Sequence, residues 1–419
     1  MDFRSFRKAG HWPTLLAAFL YFDFSFMVWV TLGPLMIYIA DDIPLTVSEK
    51  FTLVALPVLS GALWRVPLGA LADHVGSKRT GIAAQLVVIA ALTWAWLAGL
   101  DSRADIACLG IALGVAGASF AVALPQASRW YPPRYQGIVM GIAGAGNMGV
   151  VLDAMLVPSF AERWGWQNAF GALLVPLVLT LITYIAIAKD APVERKPVNW
   201  ANYRALLRDQ DSWWFMFFYF ITFGGFSGLA NALPLYFTMQ YHVSGIAAGF
   251  MVALIVLFGS CFRPVGGLIA DRVGGVRSLL VLFSVVAVAY FITAQMPAGP
   301  QPENGGSWSF LDMPAIAWLS VLLFSTGVLA LGMGNGAVFQ LIPQRFRHEI
   351  GTMTGMIGCA GGIGGFFLAQ TLGLSKSATG DFSFGFFAFG VLALVGLIAL
   401  ARLKHRWRTT WGALSEARI

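Results

Sequence analysis

The sequence predicts an all-α integral membrane protein, with twelve transmembrane helices in two six-helix pseudo-symmetric bundles. Three observations carry that prediction. Of the 419 residues, 58% are apolar and only 11% charged, and the mean hydropathy is +0.73; a soluble globular chain carries about 25% charged residues. Apolar runs of about 20 residues, the length needed to cross a bilayer, recur along the whole chain. Finally, the second half repeats motifs of the first in the same order relative to its spans. Strands of a membrane barrel would read as alternating segments of about ten residues, and none do.

Taken in order, the apolar runs lie near 13–39, 48–72, 79–99, 104–129, 136–160 and 167–188. The first follows Arg4, Arg7 and Lys8 and superficially resembles a secretion signal. It is too long for the apolar core of one and lacks a clear cleavage site, so it reads as span 1. A polar stretch, 189–211, then interrupts the series, and Asn199–Asp211 within it reads as a short amphipathic interface helix. Six more runs follow near 212–239, 244–270, 277–296, 313–342, 349–373 and 381–402. The organisation is thus an N-terminal bundle (1–188), a linker (189–211), a C-terminal bundle (212–402) and a basic tail (403–419).

The net charge of +7 invites a nucleic-acid reading, but its distribution argues otherwise. With both termini in the cytoplasm, that side holds 21 of the 27 Lys and Arg residues and the opposite connections hold 4: Lys50, Arg103, Arg163 and Lys376. This is the basic bias of inward-facing loops, and it makes a contact surface for anionic lipid. The expected setting is a bacterial cytoplasmic (inner) membrane, with a lipid bilayer and no nucleic acid as partner, and the chain a monomer. Cys108, Cys261 and Cys359 sit singly in apolar runs, which excludes a disulfide framework, a zinc site or an iron–sulfur site. No metal and no cofactor is expected.

The two halves echo each other. Arg65-x7-Asp73-x2-Gly76 returns as Arg263-x7-Asp271-x2-Gly274, 198 residues later. Gly137, Gly141 and Gly144 pair with Gly351, Gly355 and Gly358, and Gly114…Pro125-Gln126 with Gly332…Pro343-Gln344. Parallel six-span repeats are a layout of secondary transporters, with the site at the repeat interface. The loop Gly69-x-Leu71-Ala72-Asp73-x2-Gly76-x-Lys78-Arg79 resembles the loop motif of the major facilitator superfamily, and the resemblance covers essentially the whole chain. Asp73 and Asp271 can cap neighbouring helices or pair with loop arginines, which would make them gating-loop latches.

The remaining two basic residues, Arg65 and Arg263, lie inside spans 2 and 8. Eight residues of helix place each about 12 Å inward from Asp73 and Asp271, near the middle of the membrane. An arginine there costs about 2.5–3.5 kcal/mol, so each needs a reason. A buried structural ion pair is one; an anion-binding pair is favoured, because spans 2 and 8 hold no carboxylate at that depth. Asn147, Phe120, Tyr219 and Asn335 fall at similar depth. Paired guanidinium forks, amides, a phenol and aromatic faces suit a flat, singly charged oxyanion.

Gly141-x2-Gly144-Ala145-Gly146-Asn147-x-Gly149 in span 5 resembles the first signature of the nitrate/nitrite porter family. Gly358-x2-Gly361-Gly362-x-Gly364-Gly365-Phe366 in span 11 resembles the second. By that resemblance Arg65 and Arg263 match the family's substrate arginines, Asn147 its signature asparagine and Tyr219 its substrate-contacting tyrosine, while Phe120 and Phe223 fall at its aromatic clamp. The implied function is alternating-access transport of nitrate, nitrite or both, with proton-coupled nitrate import favoured over nitrate/nitrite exchange. Plain helix packing by small residues is compatible with the same glycines.

Two arginines alone favour obligate exchange, since returning the site uncompensated is costly. Asp23 in span 1 and Asp153 in span 5 are the proton-coupling candidates. Asp23 alternatively serves as an arginine's counter-ion, and Asp153 reads as structural or pore-facing. All five histidines fall in connections or tails, which disfavours a histidine relay. A channel, a membrane enzyme, a carrier of another small anion such as formate and a drug exporter are the competing classes. The chain has no ring of charge for the first, no catalytic constellation for the second, and two arginines that the last would not need.

Overall fold

In a computed structural model, which describes residues 3–132, 135–144, 147–192, 200–303, 305–346 and 349–414, the regular secondary structure is helical apart from one isolated bridge between Val243 and Trp308. Twelve spans are long and apolar enough to cross a membrane. After a short α1 (Phe3–Lys8), span 1 is α2 (Trp12–Trp29) with α3 (Leu32–Asp42), and spans 2 and 3 are α4 (Val47–Val75) and α5 (Ser77–Leu97). Span 4 is α6 (Arg103–Gly117) with α7 (Phe120–Ser128); span 5 is α8 (Gln136–Gly144) with α9 (Met148–Trp164); span 6 is α10 (Trp166–Ile187). The linker carries α11 (Trp200–Arg208). Spans 7 to 12 are α12 (Gln210–Tyr241), α13 (Gly245–Val273), α14 (Gly275–Thr293), α15 (Ala315–Arg345), α16 (Ile350–Thr379) and α17 (Ser383–Thr409), followed by α18 (Trp411–Leu414).

The internal repeat is visible in backbone geometry. Gly76 and Gly274 each end one span and begin the next, with φ of +110° and +105°. That region is open to glycine and strained for other residues. On either side the local bonds match: Thr80 Oγ1 donates to the Gly76 carbonyl, and Ser278 Oγ to the Gly274 carbonyl, both at 2.9 Å.

Two predicted single helices are in fact interrupted. Spans 1 and 4 break after Trp29 and Gly117, whereas their counterparts 7 and 10 run without a break. In span 4 a residue distant in sequence sets the break. The Trp29 indole packs onto Gly117, and the Ala118 N–H is shared among the carbonyls of Gly114, Val115 and Ala116, which tightens the turn. Two ends also differ from expectation. The interface helix stops at Arg208 because the Asp209 side chain turns to accept from the Asp211 N–H (2.7 Å), capping α12. The last span runs past 402 to Thr409, held by Trp407, whose indole donates to Asp211 (2.8 Å) and stacks on Phe215 (5.0 Å between centroids).

The halves meet mainly through span 2 against span 11, span 5 against span 8, and span 1 against span 7. On the face away from the termini this contact is tight. Thr52 donates to Gln370 (2.8 Å), Gly33 lies against the Asn231 backbone, and Gly249 against the Ala154 carbonyl. On the termini face, Gly144, Gly351 and Gly355 have no described neighbour within 4 Å of a would-be Cβ.

Candidate functional site

Span 2 carries Arg65 to the middle of the bundle, where the side chain is 2% exposed. Its Nε donates to the Gly117 carbonyl at the span 4 break (3.3 Å), and Nη1 donates to the Gly358 carbonyl of span 11. One arginine therefore bridges both halves through main-chain oxygens. Its guanidinium carbon lies 4.9 Å from the centroid of Phe223, 5.6 Å from Phe120 and 5.7 Å from Trp29. Arg263 of span 8 shares the Phe120 ring at 5.9 Å, faces Phe339 at 5.5 Å and donates from Nη2 to the Tyr219 hydroxyl at 3.3 Å. Tyr219 and Phe223, one turn apart on span 7, stack in parallel with centroids 5.2 Å apart.

Two guanidinium groups are thus separated only by an aromatic cluster. Among the described residues neither has an acidic partner, and Arg65 Nη2 and Arg263 Nη1 are buried without a hydrogen bond. Cation–π contact offsets part of the cost of burial. Uncompensated buried donors of this kind favour an anionic partner, and the paired N–H geometry suits a planar oxyanion.

Asn147 is buried where α9 begins. Its carbonyl accepts from Ser260, one turn before Arg263 (3.5 Å), and its Oδ1 is unpartnered. Asn335 in span 10 is likewise buried with an unpartnered Oδ1, but among the described contacts it joins neither arginine. Phe120 lies against both arginines, Phe223 against Arg65, and Tyr219 against Arg263. The signature glycines act through close approach. Gly358 lies under the Arg65 side chain, Gly361 under Tyr219 and Phe223, Gly362 and Gly365 against span 2, and Gly364 against Phe220. Gly149 packs onto the Asp23 carbonyl, while Gly141 and Gly144 lie in α8, where Gly144 faces open space. Gly146 falls outside the described residues.

The acids separate. Asp23 has no arginine partner among the described residues: its Oδ1 accepts from the Gly149 N–H at 2.6 Å, so span 1 caps α9. A carboxylate there is stabilised by the exposed N–H groups and the helix dipole. Asp153 is fully buried in α9 of span 5. Asp73 pairs with Arg129 at the end of span 4, and Asp271 sits exposed at the matching place in the second half.

Sequence reasoning missed Trp29 and Phe339. Trp29 is wedged against Gly61 and Gly117 and donates from its indole to the Pro57 carbonyl (2.8 Å). Phe339 meets Tyr219 and Phe120 edge-on, at 5.3 Å and 6.1 Å. Its spacing of four from Asn335 was the available signal.

Twelve spans in two repeats around a polar, arginine-lined centre are the layout of a membrane transporter. The chain belongs to the Major Facilitator Superfamily, whose family model matches residues 15–369. It is similar to the "Nitrite extrusion protein" of Bacillus subtilis, 29% identical over 89% of this chain and 90% of that one. It is also similar to the "Probable nitrate/nitrite transporter NarK2" of Mycobacterium tuberculosis (32%, covering 88% and 91%) and the "Probable nitrate transporter NarT" of Staphylococcus carnosus (31%, covering 91% and 92%).

Proposed function

We propose that this transporter moves nitrate, nitrite or both across the cytoplasmic membrane of a bacterium, with the anion held between Arg65 and Arg263. The carrying observation is the pair of guanidinium groups around Phe120, each with an unpartnered buried nitrogen and neither with an acidic partner among the described residues. The names of the relatives supply the ion. Tyr219 and Asn147 orient it, and Phe120 and Phe223 sandwich its plane. The basic bias of the connections supports both termini lying in the cytoplasm. Closure brings the glycine-rich stretches of spans 5 and 11 together.

Proton-coupled nitrate import is the favoured coupling, with Asp23 as the group that changes protonation. Its carboxylate accepts from α9, beside Asn147, and a proton there would alter that bond as the site loads. Nitrate/nitrite exchange is the second reading, supported by the two unneutralised arginines, which make reorientation without an anion costly. The test is uptake of labelled nitrate into proteoliposomes with or without internal nitrite and an imposed pH gradient. Uptake driven by the gradient alone supports symport, and uptake only against internal anion supports exchange. No uptake in either condition overturns the substrate assignment.

A further inference from the structure

The linker helix α11 carries two faces with different chemistry. At 3.6 residues per turn, Leu206 and Tyr203 fall on one side and Arg204 and Arg208 on the other. Leu206 is buried and Tyr203 half-buried, and α11 packs against α12 and α16 of the second half. The Tyr203 phenol also lies close enough to the Asp73 carboxylate of the first half that this charge, after burial, raises its pKa. Arg204 and Arg208 are exposed, and among the described residues neither has an ion-pair or hydrogen-bond partner. At the same end, Leu207 (48% exposed) adjoins Trp213 (57% exposed), whose indole donates to the Leu207 carbonyl at 2.9 Å.

Trp213 stands in the first turn of span 7, where that helix enters the membrane. Two exposed guanidinium groups beside an exposed Trp–Leu pair, at the level of the bilayer border, match the composition of an interfacial anchor. We infer that α11 binds anionic phospholipid headgroups of the inner leaflet, with Arg204 and Arg208 taking the phosphate and Leu207 and Trp213 entering the acyl boundary. The charge complementarity favours that occupant: the inner leaflet is negative, and these two arginines have no acidic partner in the chain's described part. The opposite face of the same short helix packs on α12 and α16 of the second half, beside the mouth between the halves at the termini face. Lipid binding therefore fixes α11 beside that mouth and biases how the halves move there.

The experiment compares binding of phosphatidylglycerol and phosphatidylcholine to the purified full chain, for wild type, an Arg204→Gln/Arg208→Gln pair and an Arg204→Lys/Arg208→Lys pair. Each basic group near an anionic surface contributes a factor of about five. The Gln pair should thus lose about 30-fold in phosphatidylglycerol affinity, with phosphatidylcholine binding unchanged, and the Lys pair should keep most of it. Wild-type phosphatidylglycerol affinity in the Gln pair, or its loss in the Lys pair, overturns the assignment. In a background with the three native cysteines replaced by serine, labelling of Gly355→Cys at the mouth should change when phosphatidylglycerol is added, and this response should vanish in the Gln pair. An equal response in both contradicts the link to the mouth.

Discussion

Arg263 donates to the Tyr219 hydroxyl at 3.3 Å, and the Tyr219 ring lies parallel on Phe223, which in turn underlies Arg65. One phenol therefore links the two arginines through a stack. Tyr219→Phe keeps the stack and removes only the hydroxyl. A net hydrogen bond is worth about 1 kcal/mol, more when charged, so KM for nitrate should rise roughly fivefold to tenfold with little change in unfolding temperature. Uptake kinetics and a thermal melt on the same preparation check both halves of this statement.

The glycine motifs divide by what surrounds them. A Cβ on Gly149 would overlap the Asp23 carbonyl and stand 3.0 Å from the Met27 nitrogen, so Gly149→Ala should cost about 1–3 kcal/mol of stability. Gly355 faces open space, and Gly355→Val should leave the melting temperature unchanged. If span 11 must close at this level during the cycle, the same variant slows transport. A fully active Gly355→Val protein would show that the mouth does not close there.

Asp23→Asn retains an oxygen able to accept from the Gly149 N–H, so the protein should fold. It cannot change charge. Exchange of labelled nitrate against internal anion should persist, while uptake driven by an imposed pH gradient disappears. A surviving response to the gradient would make Asp23 purely structural.

Asp211 gathers Arg345 Nε (2.9 Å), Arg406 and the Trp407 indole (2.8 Å), joining spans 7, 10 and 12 at the termini face. Its own side chain is 10% exposed, but its arginine partners are partly solvated, which screens the pairs. Asp211→Asn should cost about 1–3 kcal/mol in stability, measured by thermal unfolding.

The number of spans and the repeat were legible in the sequence because apolar length and the Arg–Asp–Gly motif are local patterns. The arginines were legible because charge in mid-membrane is costly enough to stand out. The breaks in spans 1 and 4 were not, since they gather where Trp29 presses on Gly117, a contact between residues far apart in the chain. Trp29 and Phe339 escaped notice for a related reason: an aromatic at helical spacing reads as ordinary core until its neighbour is known to be a guanidinium. The same applies to Asp153, whose sequence position says nothing about its complete burial.

The central claim is that both guanidinium forks hold one small oxyanion. Equilibrium binding of labelled nitrate to the purified protein, compared among wild type, Arg65→Lys and Arg263→Lys, tests it most directly. An ammonium keeps the charge but not the planar fork, so each variant should fold normally and lose nitrate binding, while wild type binds nitrate and is competed by nitrite. Wild-type nitrate affinity in both lysine variants would contradict the account.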